Sequence, residues 1–392
     1  MLRNKITLMP GLDSSSRFDV TLASVVGILI TTGVVMVFSA SVGVQSVLVG
    51  ESYSSLETLL RIAKHIVSVV VGISVMVLVA SIDINSWRRI NRGLFFVGIL
   101  LLAILVIPGL AEKINGSRRW FQVGSIGIQP SEIVKVLVIL YLADYYTGRS
   151  VEVRSFIGGI IKPAIPISII GVLLLLEPDF GSTAVVLFVA LGMMFLSGVR
   201  LYHLSGALIS AVVVLVVLVR LNPERMERLL CFQNPFENAL GCGYQLSQAL
   251  IAIGSGEWFG VGLGSSVQKL FYIPHANNDF LVAVIAEELG FLGICLLILL
   301  YAVLLWQIFR IARRSLVSGD LFGARICQGI GLLLAVQTMI HLGVNFGVVP
   351  TKGINIPLMS SGGSSMVATC FAIGLLFSID RNHRDSNRLV RK

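Results

Sequence analysis

An all-α polytopic membrane protein of about ten transmembrane helices is the fold class this sequence predicts. Three observations lead there. Hydrophobic residues make up 55% of the chain and charged residues only 13%, more apolar surface than a soluble domain of this length needs to bury. Apolar runs near the ~20 residues required to cross a bilayer core of ~30 Å recur from one end to the other. Basic residues crowd one set of connecting loops and thin out in the other, as membrane topology demands. No long polar stretch could form a separate module. Residues 1–392 therefore read as one integral-membrane domain, with short tails at 1–18 and 380–392 and one long loop at 221–279.

The first span, 19–41, contains an apolar run at 20–37. That exceeds the ~7–15 residues of a signal-peptide core, so a retained helix is expected. Spans follow at 60–80 and 94–110. The fourth, 128–146, is the least hydrophobic and carries Glu132 and Lys135. Pro130 followed by Ser131 suits its first turn. The fifth, 156–176, is interrupted by Pro163 and Pro166, each freeing backbone groups that neighbouring helices or water must satisfy. The turn Glu177-Pro178-Asp179 precedes the sixth span, 180–198. Asp179 is best read as that helix's cap, with cation binding by the two carboxylates as the lesser alternative. Span seven is 203–220. Within the long loop, 245–253 is spaced as a short amphipathic helix, and glycines 254, 256, 260, 262 and 264 mark turns and close backbone approach. Spans at 280–308, 325–348 and 358–379 complete the count.

Both termini are expected in the cytoplasm. The inside segments then hold Arg88, Arg89 and Arg92, Arg149 and Arg154, Arg200, Arg310 to Arg325, and a basic C-terminal tail. An odd number of spans would put that tail outside. The net charge of +9 is thus explained by topology, not by a nucleic-acid partner. The outer cations are fewer and gather in three places: Lys113, Arg118 and Arg119; Arg225, Arg228 and Lys269; and Lys352. They share a face with Asp279, which closes the polar strip Gln268-Lys269-Leu270-Phe271-Tyr272-Ile273-Pro274-His275-Ala276-Asn277-Asn278-Asp279 at the mouth of span eight.

A carboxylate in that position is a functional-site candidate, because a charge at the membrane is costly to keep. Asp279 can serve as a general base or simply cap the eighth helix. Adjacent Arg118 and Arg119 suit phosphate oxygens, while ordinary solvated loop charge is the competing explanation. Glu132 and Lys135, at i and i+3, share one helix face; a buried structural pair is favoured over direct chemistry. Glu287 and Glu288 are candidate partners of Asp279 or independent structural acids. Lys352 lies in a hairpin, Pro350-Thr351-Lys352-Gly353, that leads to Ser360-Ser361-Gly362-Gly363-Ser364-Ser365, a glycine-rich start that permits close approach of an anion or a helix. Of five cysteines, none forms a CxxC or a metal pattern. Cys231 and Cys242 share the long loop; free thiols are favoured, since spacing alone does not establish disulfide geometry.

With these motifs in order along almost the whole chain, the sequence resembles the SEDS family of bacterial shape, elongation, division and sporulation proteins. The resemblance rests on 115–120, 129–135, 177–182, 234–236, 243–249, 268–289 and 350–365. The Pro350-Thr351-Lys352-Gly353 form is closer to the division branch than to the elongation branch. This resemblance implies a peptidoglycan glycosyltransferase of the bacterial cytoplasmic membrane, placed at the septum. It would polymerise lipid II and release undecaprenyl pyrophosphate. It further implies Asp279 as the catalytic residue. Arg118, Arg119, Lys269, Lys352, Glu132 and Lys135 are the expected substrate-binding set, and a class B penicillin-binding protein and other division proteins the partners. No cofactor is required by the scheme; a divalent cation, Mg or Mn, could assist the leaving group, although no ligand cluster is evident. The alternatives are a lipid II flippase, consistent with intramembrane charge and broken helices, and a division scaffold without chemistry. Four residues depart from the family pattern: His275 for an acid, Asn278 for threonine, His341 for asparagine and Ser361 for tyrosine.

Overall fold

The computed structural model describes residues 19–42, 53–107, 109, 118–123, 126–149, 151–269 and 277–391. Twelve α-helices stand among them. They are α1 Val20–Val42, α2 Tyr53–Ser81, α3 Ile84–Val106, α4 Pro130–Thr147, α5 Lys162–Leu176, α6 Phe180–Leu196, α7 Leu201–Arg220, α8 Pro223–Gln233, α9 Tyr244–Ser255, α10 Leu281–Val317, α11 Leu321–Asn345 and α12 Gly363–Arg391. A helix occupies each expected span position. Eight helical segments are long and apolar enough to cross a membrane; α6 is apolar but shorter. Helix α9 is the amphipathic helix expected in the long loop, whereas α8 is an addition, opened by Asn222, whose side chain accepts from the Arg225 amide.

A two-stranded antiparallel hairpin qualifies the all-α expectation. Strands β1 Phe121–Val123 and β2 Ile126–Ile128 pair with Phe121 opposite Ile128. Three-residue strands are too short to show the alternation by which strands are read. Ser364, at the start of α12, ties this hairpin down: its Oγ accepts from the Gln129 amide at 2.9 Å and donates to the Gly127 carbonyl at 3.3 Å.

The first proline of the fifth span is handled by a neighbouring helix. Pro163 has no N–H for the carbonyl four residues earlier, that of Gly159. The Tyr146 hydroxyl donates to it at 3.0 Å, and Tyr145 donates to Gly158 O at 2.6 Å. The backbone here forms a wider turn, Ile157–Ile161, before α5 resumes the α-helical path. Side chains of α4 thus replace the missing backbone bond, as a membrane environment requires.

The bundle packs α12 along α2 and α10 along α11, with α4 and α6 against α11. Helix α7 buries no residue; a helix apolar all round is stable at such a periphery only in lipid. One end of the bundle carries Asp279 and the Gly363 end of α12. The opposite end carries the far end of α12, where Asn382 bonds Asp83 at 2.6 Å and Arg381 bonds Ser81 O at 3.0 Å. There Arg384 and Arg314 bridge Asp19 and Asp380, joining α1, α10 and α12.

Span eight is not one continuous helix. Gly290, at φ 67°, breaks α10, and the loop before it fills the break. Val261 and Gly262 amides bond the carbonyls of Glu287 and Glu288, while Phe291 and Leu292 amides bond those of Glu257 and Trp258. Gly260 must be glycine twice over: its φ is 80°, and a Cβ would stand 2.2 Å from Glu288 O. The free-thiol reading of the loop is also corrected. Cys231 and Cys242 form a disulfide, with Cα atoms 6.0 Å apart. The last turn of α8 and the turns that follow it bring the two together, a distance that spacing in sequence does not reveal.

Candidate active site

Asp279 sits just before α10, and its surroundings are built by the segment between α11 and α12. Asn345, buried at the end of α11, donates to the Asp279 carbonyl at 3.1 Å and accepts from the Ala283 amide at 2.9 Å. One first-turn cap of α10 therefore comes from another helix. Ser360 donates to Asn278 O at 3.0 Å, the Ser361 hydroxyl bonds the Asn278 side chain, and the Ser361 amide bonds Asn277 O. Two of the departures from the family pattern, Asn278 and Ser361, are thus each other's partners. A third, His341, is 1% exposed and bonds Ile354 O through Nδ1 at 2.7 Å, fastening the hairpin to α11. The fourth, His275, lies outside the described residues.

The Asp279 carboxylate faces that hairpin closely. A Cβ on Gly353 would meet its two oxygens at 3.0 and 3.4 Å, so glycine leaves room for the acid and whatever it contacts. The next residue back is Lys352. Its ammonium lies 4.2 Å from the centre of the Phe180 ring, and the Arg225 guanidinium lies 5.1 Å from the same ring. Such cation–π contacts hold cations in place without neutralising them. Arg119 stands at the neighbouring turn, with Nε donating to Glu177 O at 3.1 Å and Nη2 to Pro178 O. Arg118 has an Nε buried without a hydrogen-bond partner among the described residues.

Electrostatics mark this place as built for an anion. Burial, reinforced by the charges of Arg228, Arg225 and Arg119 and opposed by Asp179, lowers the Lys352 pKa to about 8. Glu177 is 1% exposed; burial and then the nearby charge of Asp179, partly offset by Arg119, raise its pKa to about 8. At neutral pH Lys352 is charged and Glu177 is neutral. Asp179 accepts from the Ser182 amide and caps α6 as expected. The charges of Arg119, Arg225 and Arg228 thus act together on Lys352, and Asp179, which opposes them, is already committed to a helix.

Three expected substrate-binding residues are placed elsewhere. Lys269 is 2% exposed and bonds Glu288 at 2.7 Å and Ser39 at 3.1 Å; it is a buried ion pair and not an outer cation. Glu132 and Lys135 bond each other at 2.7 Å, both buried, in line with the structural-pair reading. Glu287 accepts from Ser266 Oγ and from the amides of Val267 and Gln268. Together Glu287 and Glu288 pin the start of the strip that ends at Asp279. Removing one partner of a buried pair strands a charge, whereas removing both does not. Lys269→Met should lower stability by about 3–5 kcal/mol, and Lys269→Met with Glu288→Leu should recover most of it. Thermal unfolding in detergent reads both; a double variant no better than the single would sink the assignment.

Among the described residues, donors for a divalent ion do not assemble. Among the described residues no three His, Cys, Asp or Glu side chains converge on one point, and Glu132, Glu287 and Glu288 have the partners just named. The described residues thus gather no protein-held metal site, and no step is routed through a metal. Arg225 and Arg228 are the additions to the expected set. The surplus of outer cations in the long loop was their signal in the sequence, but only α8 carries Arg225 to the Phe180 ring and brings the Arg228 charge to bear on Lys352.

A polytopic helical membrane protein that sets a carboxylate beside a cation cluster belongs to the class of integral-membrane proteins that handle anionic ligands at one end of the bundle. The comparisons narrow this. The FtsW/RodA/SpoVE family model, described as "Cell cycle protein", matches residues 20–385. The chain is 40% identical over 382 residues to a protein of Aromatoleum aromaticum named "Probable peptidoglycan glycosyltransferase FtsW", covering 97% of this chain and 92% of that one. A Nitrosomonas europaea protein of the same name is 42% identical, covering 95% of each. Among solved structures, a chain of a peptidoglycan synthase complex that coordinates polymerization and crosslinking superposes with TM-score 0.76 at 27% identity, over 93% of this chain and 98% of that one. The rod shape determining protein RodA of Thermus thermophilus superposes with TM-score 0.68 at 26% identity, over 95% and 99%. The chain belongs to the FtsW/RodA/SpoVE family of cell cycle proteins.

Proposed function

We propose that this chain is a peptidoglycan glycosyltransferase of cell division, polymerising lipid II at the outer face of the cytoplasmic membrane. The observation that carries this reading is the Asp279 carboxylate packed over Gly353, with Lys352 and its cation cluster one residue away. The growing glycan, still joined to its lipid pyrophosphate, is the donor; a second lipid II is the acceptor. Asp279 takes the proton from the acceptor GlcNAc 4-hydroxyl. That oxygen attacks the donor MurNAc anomeric carbon with inversion, the bond to the pyrophosphate oxygen breaks, and a β-1,4 link forms. Undecaprenyl pyrophosphate departs as an anion.

Both terminal charge and geometry support a single-base scheme. A pyrophosphate needs no acid to protonate it, in contrast to the sugar leaving group of a glycosidase with its two carboxylates. Lys352, Arg119, Arg225 and Arg228 lie where negative charge would develop, the kind of preorganised field that stabilises a transition state. The bias of basic residues supports ten spans with both termini in the cytoplasm, which puts Asp279 outside. The names of the curated relatives support the division role, and the structural likeness to a synthase complex that coordinates polymerization and crosslinking supports a penicillin-binding transpeptidase as partner.

Proteoliposomes carrying the purified protein and lipid II test the reading. Glycan polymer formed from outward-facing lipid II supports it. Protected lipid II becoming accessible with no polymer formed indicates a flippase instead, and neither result, with or without the transpeptidase, leaves only a scaffold.

A further inference from the structure

The end of the bundle opposite Asp279 holds a cavity of about 580 Å³, lined by Asp83, Asn85, Arg88, Arg89, Arg92 and Asp144. Nothing in the glycosyl-transfer scheme uses it. Three guanidinium groups face two carboxylates there, and the carboxylates are engaged. Asp144 takes Arg88 Nε at 3.0 Å and Arg92 Nε at 3.7 Å, and Asp83 accepts from Asn382. Arg89 has no ion pair among the described residues. The terminal nitrogens of Arg88 and Arg92 make no hydrogen bond among them either. The site thus presents planar donors suited to the oxygens of a phosphate group.

What lies next to the cavity identifies the bearer of that phosphate. Along α3, at helical spacing from Arg89 and Arg92, come Gly93, Phe96, Val97 and Leu100. Phe96 is 68% exposed and Leu100 59%, and a Cβ at Gly93 would meet nothing within 4 Å. An open apolar flank therefore runs from the arginines into the membrane. Basic pockets at the cytoplasmic ends of transmembrane helices are suited to anionic headgroups. We propose that this cavity binds the phosphate of an anionic phospholipid of the cytoplasmic leaflet, with the acyl chains lying along the exposed face of α3.

The inference rests on the membrane orientation proposed above, not on the chemistry at Asp279. The full chain, purified in detergent, is offered phosphatidylglycerol, phosphatidylcholine or inorganic phosphate in separate arms, and bound ligand is read by native mass spectrometry. Phosphatidylglycerol should be retained in preference to phosphatidylcholine. Replacing both Arg89→Gln and Arg92→Gln should weaken its retention about thirtyfold, roughly fivefold per charge. Arg89→Lys with Arg92→Lys keeps the charge and should retain the lipid, which separates the effect from misfolding. Equal retention of both lipids, or no change in the glutamine variant, overturns the proposal. So does inorganic phosphate binding without any lipid preference, which would make the ligand a soluble phosphate compound. Orientation is tested separately: Asn85→Cys should react with a membrane-impermeant maleimide only after cells are permeabilised. Labelling in intact cells would remove the cytoplasmic leaflet from the proposal whatever the lipid result.

Discussion

Asp279→Asn should slow polymerisation of lipid II by about 10²–10⁴-fold, the range that a positioned general base contributes. The substitution keeps the size of the side chain and removes only its capacity to take a proton at neutral pH. Folding should be untouched, because the backbone at this position is held by others. Asn345 holds its carbonyl, Ser360 holds Asn278 O, and the Ser361 amide holds Asn277 O. The loss should fall on kcat more than on KM, since proton removal is needed only as the transition state forms. Polymerisation at the wild-type rate by a normally folded variant would take Asp279 out of the chemistry.

Lys352→Met should cost about 10²–10³-fold, as removal of one preorganised partner of a developing anion does elsewhere. The pH profile provides the sharper signature. Lys352 loses its proton as pH rises through about 8, and Glu177 becomes an anion over the same interval. Two positive increments are lost together from the place where the pyrophosphate leaves. Activity should therefore fall above pH 8 with a slope steeper than one proton. Lys352→Arg stays charged at these pH values, so its alkaline limb should be shallower, with Glu177 alone titrating. Initial rates of wild type and both variants between pH 6.5 and 9.5 on lipid II decide the matter (the range brackets both groups). A wild-type profile flat through pH 9 would separate Lys352 from leaving-group stabilisation.

Much of this site was legible one residue at a time. Asp279 and Lys352 announced themselves because charge beside a membrane span is rare and costly. Asp179 was legible as a cap because its turn and the following apolar run are local features. Lys269 shows where that logic fails. Its loop and its charge match those of a substrate-binding cation, yet the loop docks against the break at Gly290 and carries it to Glu288. Neither the break nor the docking follows from periodicity, since a glycine inside a long apolar run reads as helix packing. Cys231 and Cys242 failed for a similar reason: their pairing depends on turns whose path the sequence leaves open.

The sequence alone determined the membrane fold class, the places along the chain where helices form, the family and the acid at the mouth of span eight. Each follows from short-range patterns: apolar run length set by bilayer thickness, loop charge set by topology, and motifs that stay contiguous. Which cations stand together was decided only by the tertiary structure. Arg119, Arg225, Arg228 and Lys352 come from three separate connecting segments; Arg225 and Lys352 meet over the Phe180 ring at the start of α6, and Arg119 holds the turn just before it. Packing also decided that Lys269 is matched by Glu288 while Lys352 lies over the Phe180 ring. Long-range contacts assign partners to charges, and residue type and spacing carry no record of that assignment.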